Sequence, residues 1–162
     1  MKTLKFVVPS EPIAQPRQKH RIISPKAEDK RPFVHVYVPE SHRVHKFKAM
    51  VALSARQLIG SDKFTGPVSV YLKFVMPRPK HKLRKTKPNP RYAHTGKPDI
   101  DNLQKSVFDA LNQIAWDDDS QVAEVVATKT VAAGNEKSHL TIEIKEFQLC
   151  EVNETNELRL PF

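Results

Sequence analysis

The sequence predicts an α+β domain, a mixed β-sheet of about five strands with two main helices packed on it. Three observations predict it. VSVYLKFVM (68–76) sets Val68, Val70, Leu72, Phe74 and Met76 on one face, with the period of two that a half-buried strand requires. Leu103, Val107, Ala110, Leu111 and Ile114 recur at i, i+4, i+7, i+8 and i+11, the stripe of a core-facing helix. The elements run strand, strand, helix, strand, helix, strand, strand, with no internal repeat.

KTLKFVV (2–8) alternates as a first strand and stops at Pro9. A long irregular arm (9–32) follows, with QPRQKHR inside it. FVHVYV (33–38) is a short strand of apolar and β-branched residues ending before Pro39. Ser41 is the expected cap of a helix running to about Ile59, with Val44, Phe47, Val51, Leu53, Ala55 and Leu58 at helical spacing and Gly60 as its stop. After the 68–76 strand, residues 77–97 form a basic loop. Its segment PRPKHKLRKTKPNPRYAHTGKP (77–98) has eight Lys+Arg, five Pro and no acidic residue, so it has no apolar face to bury. The second helix is expected from about Asn102 to Ile114. Trp116 and Asp117-Asp118-Asp119 then make a turn. QVAEVVATKTVAA and HLTIEIKEF read as two strands joined around Gly134-Asn135 in an antiparallel hairpin. Residues 1–150 thus make one domain, and 151–162 a polar C-terminal tail.

Composition narrows the class. The length of 162 residues suits one domain, and a 39% apolar fraction supports a modest core. Thirteen Pro against four Gly favour stiff, extended connections over tight turns. The single cysteine, Cys150, excludes an intrachain disulfide framework, and a cytoplasmic location is expected. MKTLKFVVPSEP meets Pro9 and Glu11 too early for a signal region, and no run approaches the roughly 20 apolar residues of a membrane span.

Charge is the strongest pointer to a partner. Residues 1–97 hold 22 Lys+Arg against 5 Asp+Glu, a net +17; residues 98–162 hold 5 against 13, a net −8. The basic part attracts polyanions through counterion release. The acidic part opposes that binding unless its carboxylates meet phosphate through cations.

The carboxylates with chemical potential lie in KPDIDNLQK (97–105) and WDDDSQV (116–122). In an extended segment Asp99 and Asp101 project from one face, Asp101 suits an N-cap, and Lys105 lies one turn further on. The turn after Trp116 is expected to fold back beside the Pro98 segment, so that its carboxylates share a cation with Asp99 and Asp101. Mg²⁺ prefers such oxygens together with water and substrate phosphate. Phosphodiester hydrolysis uses metal-activated water and charge stabilisation, to which Lys105 can contribute. Each motif also has an ordinary structural reading: a helix cap, an i, i+4 ion pair and a solvated turn. His42 and His45 have no third ligand to support zinc, Cys150 has no catalytic partner, and no glycine-rich phosphate loop is present.

KPDIDNLQKSVFDALN followed by DDSQV resembles the RusA family of Holliday-junction resolvases, with a strict core over about 97–122 and a looser match at QPRQKHR. The resemblance implies a small α/β fold, a homodimer and Mg²⁺, for which Mn²⁺ substitutes, with no organic cofactor and no membrane. It implies Asp99, Asp101 and Asp119 as catalytic metal ligands, Asp118 as their acidic neighbour and Lys105 as an essential lysine. Because Asp117 makes a triplet, Asp118 and Asp119 remain alternatives as principal ligand. The substrate implied is a four-way DNA junction, cut by paired symmetric nicks in recombination and repair. A C2 dimer would present two matched sites to that near-two-fold substrate. Arg17, Lys19 and Arg21 of the arm, with Arg78, Lys80, Lys82, Arg84, Lys85, Lys87, Arg91 and Lys97 of the loop, are the expected phosphate contacts. Two alternatives stand beside this: a non-catalytic nucleic-acid-binding protein, and a metal-dependent nuclease acting on flaps or other branched DNA.

Overall fold

The structure is a computed structural model that describes residues 2–23, 31–84, 86–87 and 89–149; Lys85, Cys150 and the tail 151–162 lie outside the described residues. Among the described residues seven strands and two α-helices follow one another: β1 (Thr3–Val8), β2 (Lys19–Ile23), β3 (Phe33–Tyr37), α1 (Arg43–Ile59), β4 (Val68–Met76), β5 (Tyr92–Ala93), α2 (Ile100–Leu111), β6 (Val122–Val131) and β7 (His139–Glu146). The main sheet is five-stranded, in the order β1-β7-β4-β6-β5, and β2-β3 form a separate two-stranded ribbon. The α+β class with a mixed five-stranded sheet and two helices is as expected, but the membership of the sheet differs.

β6 and β7 do not make a hairpin. β4 lies between them, parallel to β6 and antiparallel to β7. The reason is core formation. β4 is the most apolar strand, buried along nearly its whole length, so it gains most from neighbours on both edges. A parallel pair requires a crossover, and the chain from Met76 to Val122 supplies it with the basic loop, β5 and α2. The strand at Phe33–Tyr37 leaves the main sheet and pairs with Lys19–Ile23, so the arm is partly ordered rather than irregular throughout.

One face of the main sheet carries the helices. Phe6 and Val8 of β1, Val70, Leu72 and Phe74 of β4, and Leu140, Ile142 and Ile144 of β7 meet Phe47, Val51, Leu103, Val107 and Leu111 in one core. The predicted stripe of α2 is buried from Leu103 to Ile114. In α1 the buried set is Val44, Phe47, Val51, Ala55 and Ile59. Leu53 faces away from that stripe and Leu58 falls in the last turn, and both are exposed. The cap of α1 is His42 rather than Ser41; its Nδ1 accepts from the Val44 amide at 3.2 Å. His45 Nε2 lies 3.1 Å from the Pro39 carbonyl, so the two histidines serve the helix entry. Among the described residues no helix is long and apolar enough to cross a membrane.

Candidate active site and nucleic-acid surface

α2 begins earlier than the sequence suggests. Asp99 is its N-cap, in extended backbone, and Ile100 and Asp101 are already helical. The Asp99 carbonyl accepts the first helical bond, from the Leu103 amide at 3.2 Å. Period-two alternation therefore does not apply to Asp99 and Asp101. They share instead the first turn, where unsatisfied amides and the helix dipole favour negative charge. Both are exposed, and Lys105 is exposed one turn later. Among the described residues none of the three forms a salt bridge; the Asp101 carboxylate accepts only from the side-chain Nδ2 of Asn102 at 3.3 Å.

The Asp triplet lies elsewhere. Val122, which follows the 3-10 turn at Asp119–Gln121, pairs with Val68 at the start of β4, whereas Lys129 pairs with Phe74 near its end. The Lys129 ammonium donates to the carbonyls of Gly96 and Pro98, so the start of α2 lies at that far end. At about 3.3 Å per residue, β6 separates the two carboxylate groups by roughly 20 Å. The twelve residues of α2 span about 18 Å at 1.5 Å each, in agreement. The turn after Trp116 thus does not fold back beside Pro98 within one chain, because α2 and β6 are long, straight elements running in opposite directions. Among the described residues no three His, Cys, Asp or Glu side chains are grouped so as to hold one metal ion.

The triplet is nonetheless a built structure. Asp118 caps the 3-10 turn, its carboxylate accepting from the Ser120 amide at 2.9 Å. The bonds from the side chain and backbone of Ser120 hold the Asp118 carboxyl below the usual carboxylate range. Asp117 pairs with Lys63 at 3.1 Å. Asp119 is exposed and forms no salt bridge among the described residues. Of the two alternatives, Asp118 is engaged as a cap, whereas the Asp119 carboxylate has no such bond among the described residues.

Two residues that sequence reasoning missed organise these groups. Gln121 Oε1 accepts from the amides of Asp117 at 2.8 Å and Asp118 at 3.3 Å, while its Nε2 donates to the carbonyls of Phe64 and Gly66. It clamps the acidic turn to the loop before β4. Lys129 does the same for the Pro98 segment at the other end. The polar member of DDSQV was visible as a motif position; nothing in the sequence signalled Lys129.

The basic candidates divide by their contacts. Arg17, Lys19 and Arg21 are exposed on the arm and ribbon, and Lys80, Lys82, Arg84, Lys87 and Lys97 are exposed on the loop. None of these eight has an acidic partner among the described residues. The Gln15 amide donates to the Asn102 carbonyl at 2.9 Å, which carries the arm past the start of α2 and brings Arg17 near it. Arg78 is committed: Nε donates to the Ala132 carbonyl at 2.8 Å, and Nη2 donates to the carbonyls of Asn89 and Pro90. Arg91 forms a two-pronged pair with Glu136, with Nε 2.9 Å from Oε2. These two arginines shape the loop, while the lysines present charge. A cationic cavity of about 500 Å³ opens between Arg78, Lys82, Arg84 and Tyr92.

A carboxylate-bearing helix start beside a basic loop and arm defines a class, a domain equipped to bring acidic groups against a nucleic-acid backbone. A family model described as Endodeoxyribonuclease RusA matches residues 9–145, and the chain belongs to that family of DNA endonucleases. It is also similar to the uncharacterised protein YqaN of Bacillus subtilis (strain 168), 38% identical over 134 residues, covering 80% of this chain and 88% of the relative.

Proposed function

We propose that the protein is a divalent-metal-dependent endonuclease that resolves four-way DNA junctions as a homodimer. The observation that carries this reading is the paired carboxylates Asp99 and Asp101 at the start of α2, in a chain of an endodeoxyribonuclease family. Two free carboxylates suit Mg²⁺, which retains water and takes substrate phosphate oxygens alongside few protein ligands. The bound ion would supply an activated water and positive charge at the scissile phosphate. Asp99 and Asp101 would hold it, and Lys105 would lie against the non-bridging phosphate oxygens and offset their charge.

Asp119 stands too far from this pair to join it within one chain. A C2 dimer packed through the start of α2 would bring each Asp99–Asp101 pair against the second subunit, whose Asp119 would complete the set. Two identical composite sites then form together or not at all, which suits paired nicks on opposed strands. The exposed lysines of the loop and arm would hold the duplex arms by phosphate contact.

Two experiments test the reading. A labelled four-way junction, a linear duplex and a flap are incubated with Mg²⁺, with Mn²⁺ and with chelator. Paired nicks on the junction, dependent on metal, support resolution; cleavage of the flap alone would indicate another branched substrate, and binding without cleavage a non-catalytic protein. Subunit mixing then tests the composite site. Asp101→Asn and Asp119→Asn proteins, each inactive, should regain single-site nicking when mixed, because one of the two sites in the mixed dimer is intact. No recovery despite subunit exchange would place all the ligands within one chain.

A further inference from the structure

Among the described residues nothing else covers the β2-β3 ribbon, which carries a concentration of exposed apolar side chains. Its cross-strand pairs are Lys19–Tyr37, His20–Val36, Arg21–His35, Ile22–Val34 and Ile23–Phe33. Side chains alternate across a strand, so the two faces differ in chemistry. One presents Lys19, Arg21 and Ile23 with Tyr37, His35 and Phe33. On it the rings of His35 and Tyr37 stack, centroids 5.5 Å apart and planes within 10°. The other presents His20, Ile22, Val34 and Val36. Ile22 is 72% exposed, Val34 59% and Phe33 53%. A lone two-stranded ribbon is marginal in water, and an apolar patch of this kind marks a binding surface.

Charge selects the occupant. The described ribbon residues include Lys19, Arg21, His20 and His35, with Arg31 just before β3, and no acidic side chain. A second ribbon of this chain would meet it with like charge, whereas a polyanion would not. At the root of the ribbon a groove of about 630 Å³, lined by Ile13, Arg17, Lys19, His42 and Arg43, extends the basic surface towards the arm that contacts α2. A two-stranded ribbon also has the width that a DNA groove admits.

We infer that this ribbon is the branch-sensing element: it enters the exchange point as a wedge, Ile22 and Val34 on one face and Phe33 on the other packing against the base faces on either side, while Lys19 and Arg21 hold the flanking phosphates. The inference rests on the proposed DNA-cleaving function and deepens it. Linear duplex keeps its base faces covered, so it gains only the phosphate contacts. Branched DNA exposes them at the exchange point and gains the apolar contacts too, as wedge-inserting proteins and aromatic stacking platforms do. The ribbon would thereby discriminate shape without reading sequence.

The test compares binding alone, in chelator, so that it is independent of cleavage. Ile22→Ser/Phe33→Ser/Val34→Ser is measured on a four-way junction and on a linear duplex at one salt concentration. Junction affinity should fall about tenfold or more, with duplex affinity within about twofold of the original. Lys19→Gln/Arg21→Gln should weaken both substrates alike and flatten the salt dependence. A 2-aminopurine at the exchange point should brighten on binding the unaltered protein and not the apolar variant. The ribbon adds nothing to the main core, so unchanged thermal unfolding serves as the folding control. Equal loss on junction and duplex, or no loss on either, overturns the inference. So does conversion of a dimer to monomer by the apolar substitutions, which would make the ribbon a subunit contact. Failure of the nuclease reading looks different: the unaltered protein would leave the junction uncut in Mg²⁺ and Mn²⁺ whatever the ribbon does.

Discussion

The Lys129 ammonium lies 2.7 Å from the Gly96 carbonyl oxygen, and this contact ties the last third of β6 to the segment that begins α2. The same nitrogen donates to the Pro98 carbonyl, so one side chain fixes the backbone immediately before Asp99. Lys129 is thus a positioning residue. Lys129→Met keeps the stem and removes the donors. Cleavage should fall about tenfold, since hydrogen bonds from a charged donor contribute roughly 1.5–3 kcal/mol. Junction affinity in chelator should be unchanged, and Lys129→Arg should recover part of the rate. A loss of binding equal to the loss of rate would refute the assignment.

Gln121 offers a second test of how the acidic turn is held. Its amide accepts from two backbone N–H groups and donates to two carbonyls, a pattern that only an amide of this length satisfies. Gln121→Leu leaves those groups without partners and should destabilise the fold by about 1–3 kcal/mol. Gln121→Glu keeps the acceptor, loses the donor and adds charge beside three aspartates, so it should be no better. Denaturant midpoints of the two variants measure this.

Trp116 is fully buried, its Nε1 donates to Asn112 Oδ1 at 2.7 Å, and its ring meets Phe108 edge-on at 5.9 Å. It anchors the end of α2 and hence the approach to the Asp triplet. Trp116→Ala should cost about 3–5 kcal/mol, whereas Trp116→Phe should lose chiefly the hydrogen bond. The chain has a single Trp, so fluorescence of the unaltered protein reports this site directly on unfolding.

The Arg91–Glu136 pair gives a pH dependence with a definite sign. The guanidinium, and then the Ala133 amide, lower the Glu136 carboxyl from its ordinary 4.5 to about 2. The stabilisation is therefore complete above about pH 4.5 and lost as pH falls towards 2. Arg91 is almost half exposed, so water screens the pair and its contribution is about 1 kcal/mol or less. Glu136→Gln should be less stable than the unaltered protein at neutral pH, with the difference closing below pH 4.5. A constant difference down to pH 2 would assign the effect elsewhere.

Salt dependence separates the loop cations by role. Lys80→Gln, Lys82→Gln and Lys87→Gln should each lower the slope of log affinity against log salt by about 0.9, if each meets one phosphate. Arg78→Gln removes bonds to backbone carbonyls and should show first as altered loop protection in hydrogen exchange. Titrations at several salt concentrations distinguish the two groups.

The sequence alone determined the elements wherever a local rule governs them. β4 and α2 were legible from their apolar periods, because burial of one face is written along the chain itself. Asp99, Asp101, Lys105 and the triplet were legible as candidates from residue type and spacing. Strand order was decided only in three dimensions. β6 and β7 are close in sequence and look like a hairpin, yet the burial gained by flanking the apolar β4 outweighs the short connection. Helix length decided the site as well: twelve residues of α2 carry the chain about 18 Å from Asp101 to the triplet, so carboxylates adjacent in motif stand apart in space. Lys129 and Gln121 carry no local signal, because each acts on backbone groups brought to it by distant segments. Periodicity is a property of neighbours along the chain; strand partners and shared sites depend on which distant surfaces exclude water together.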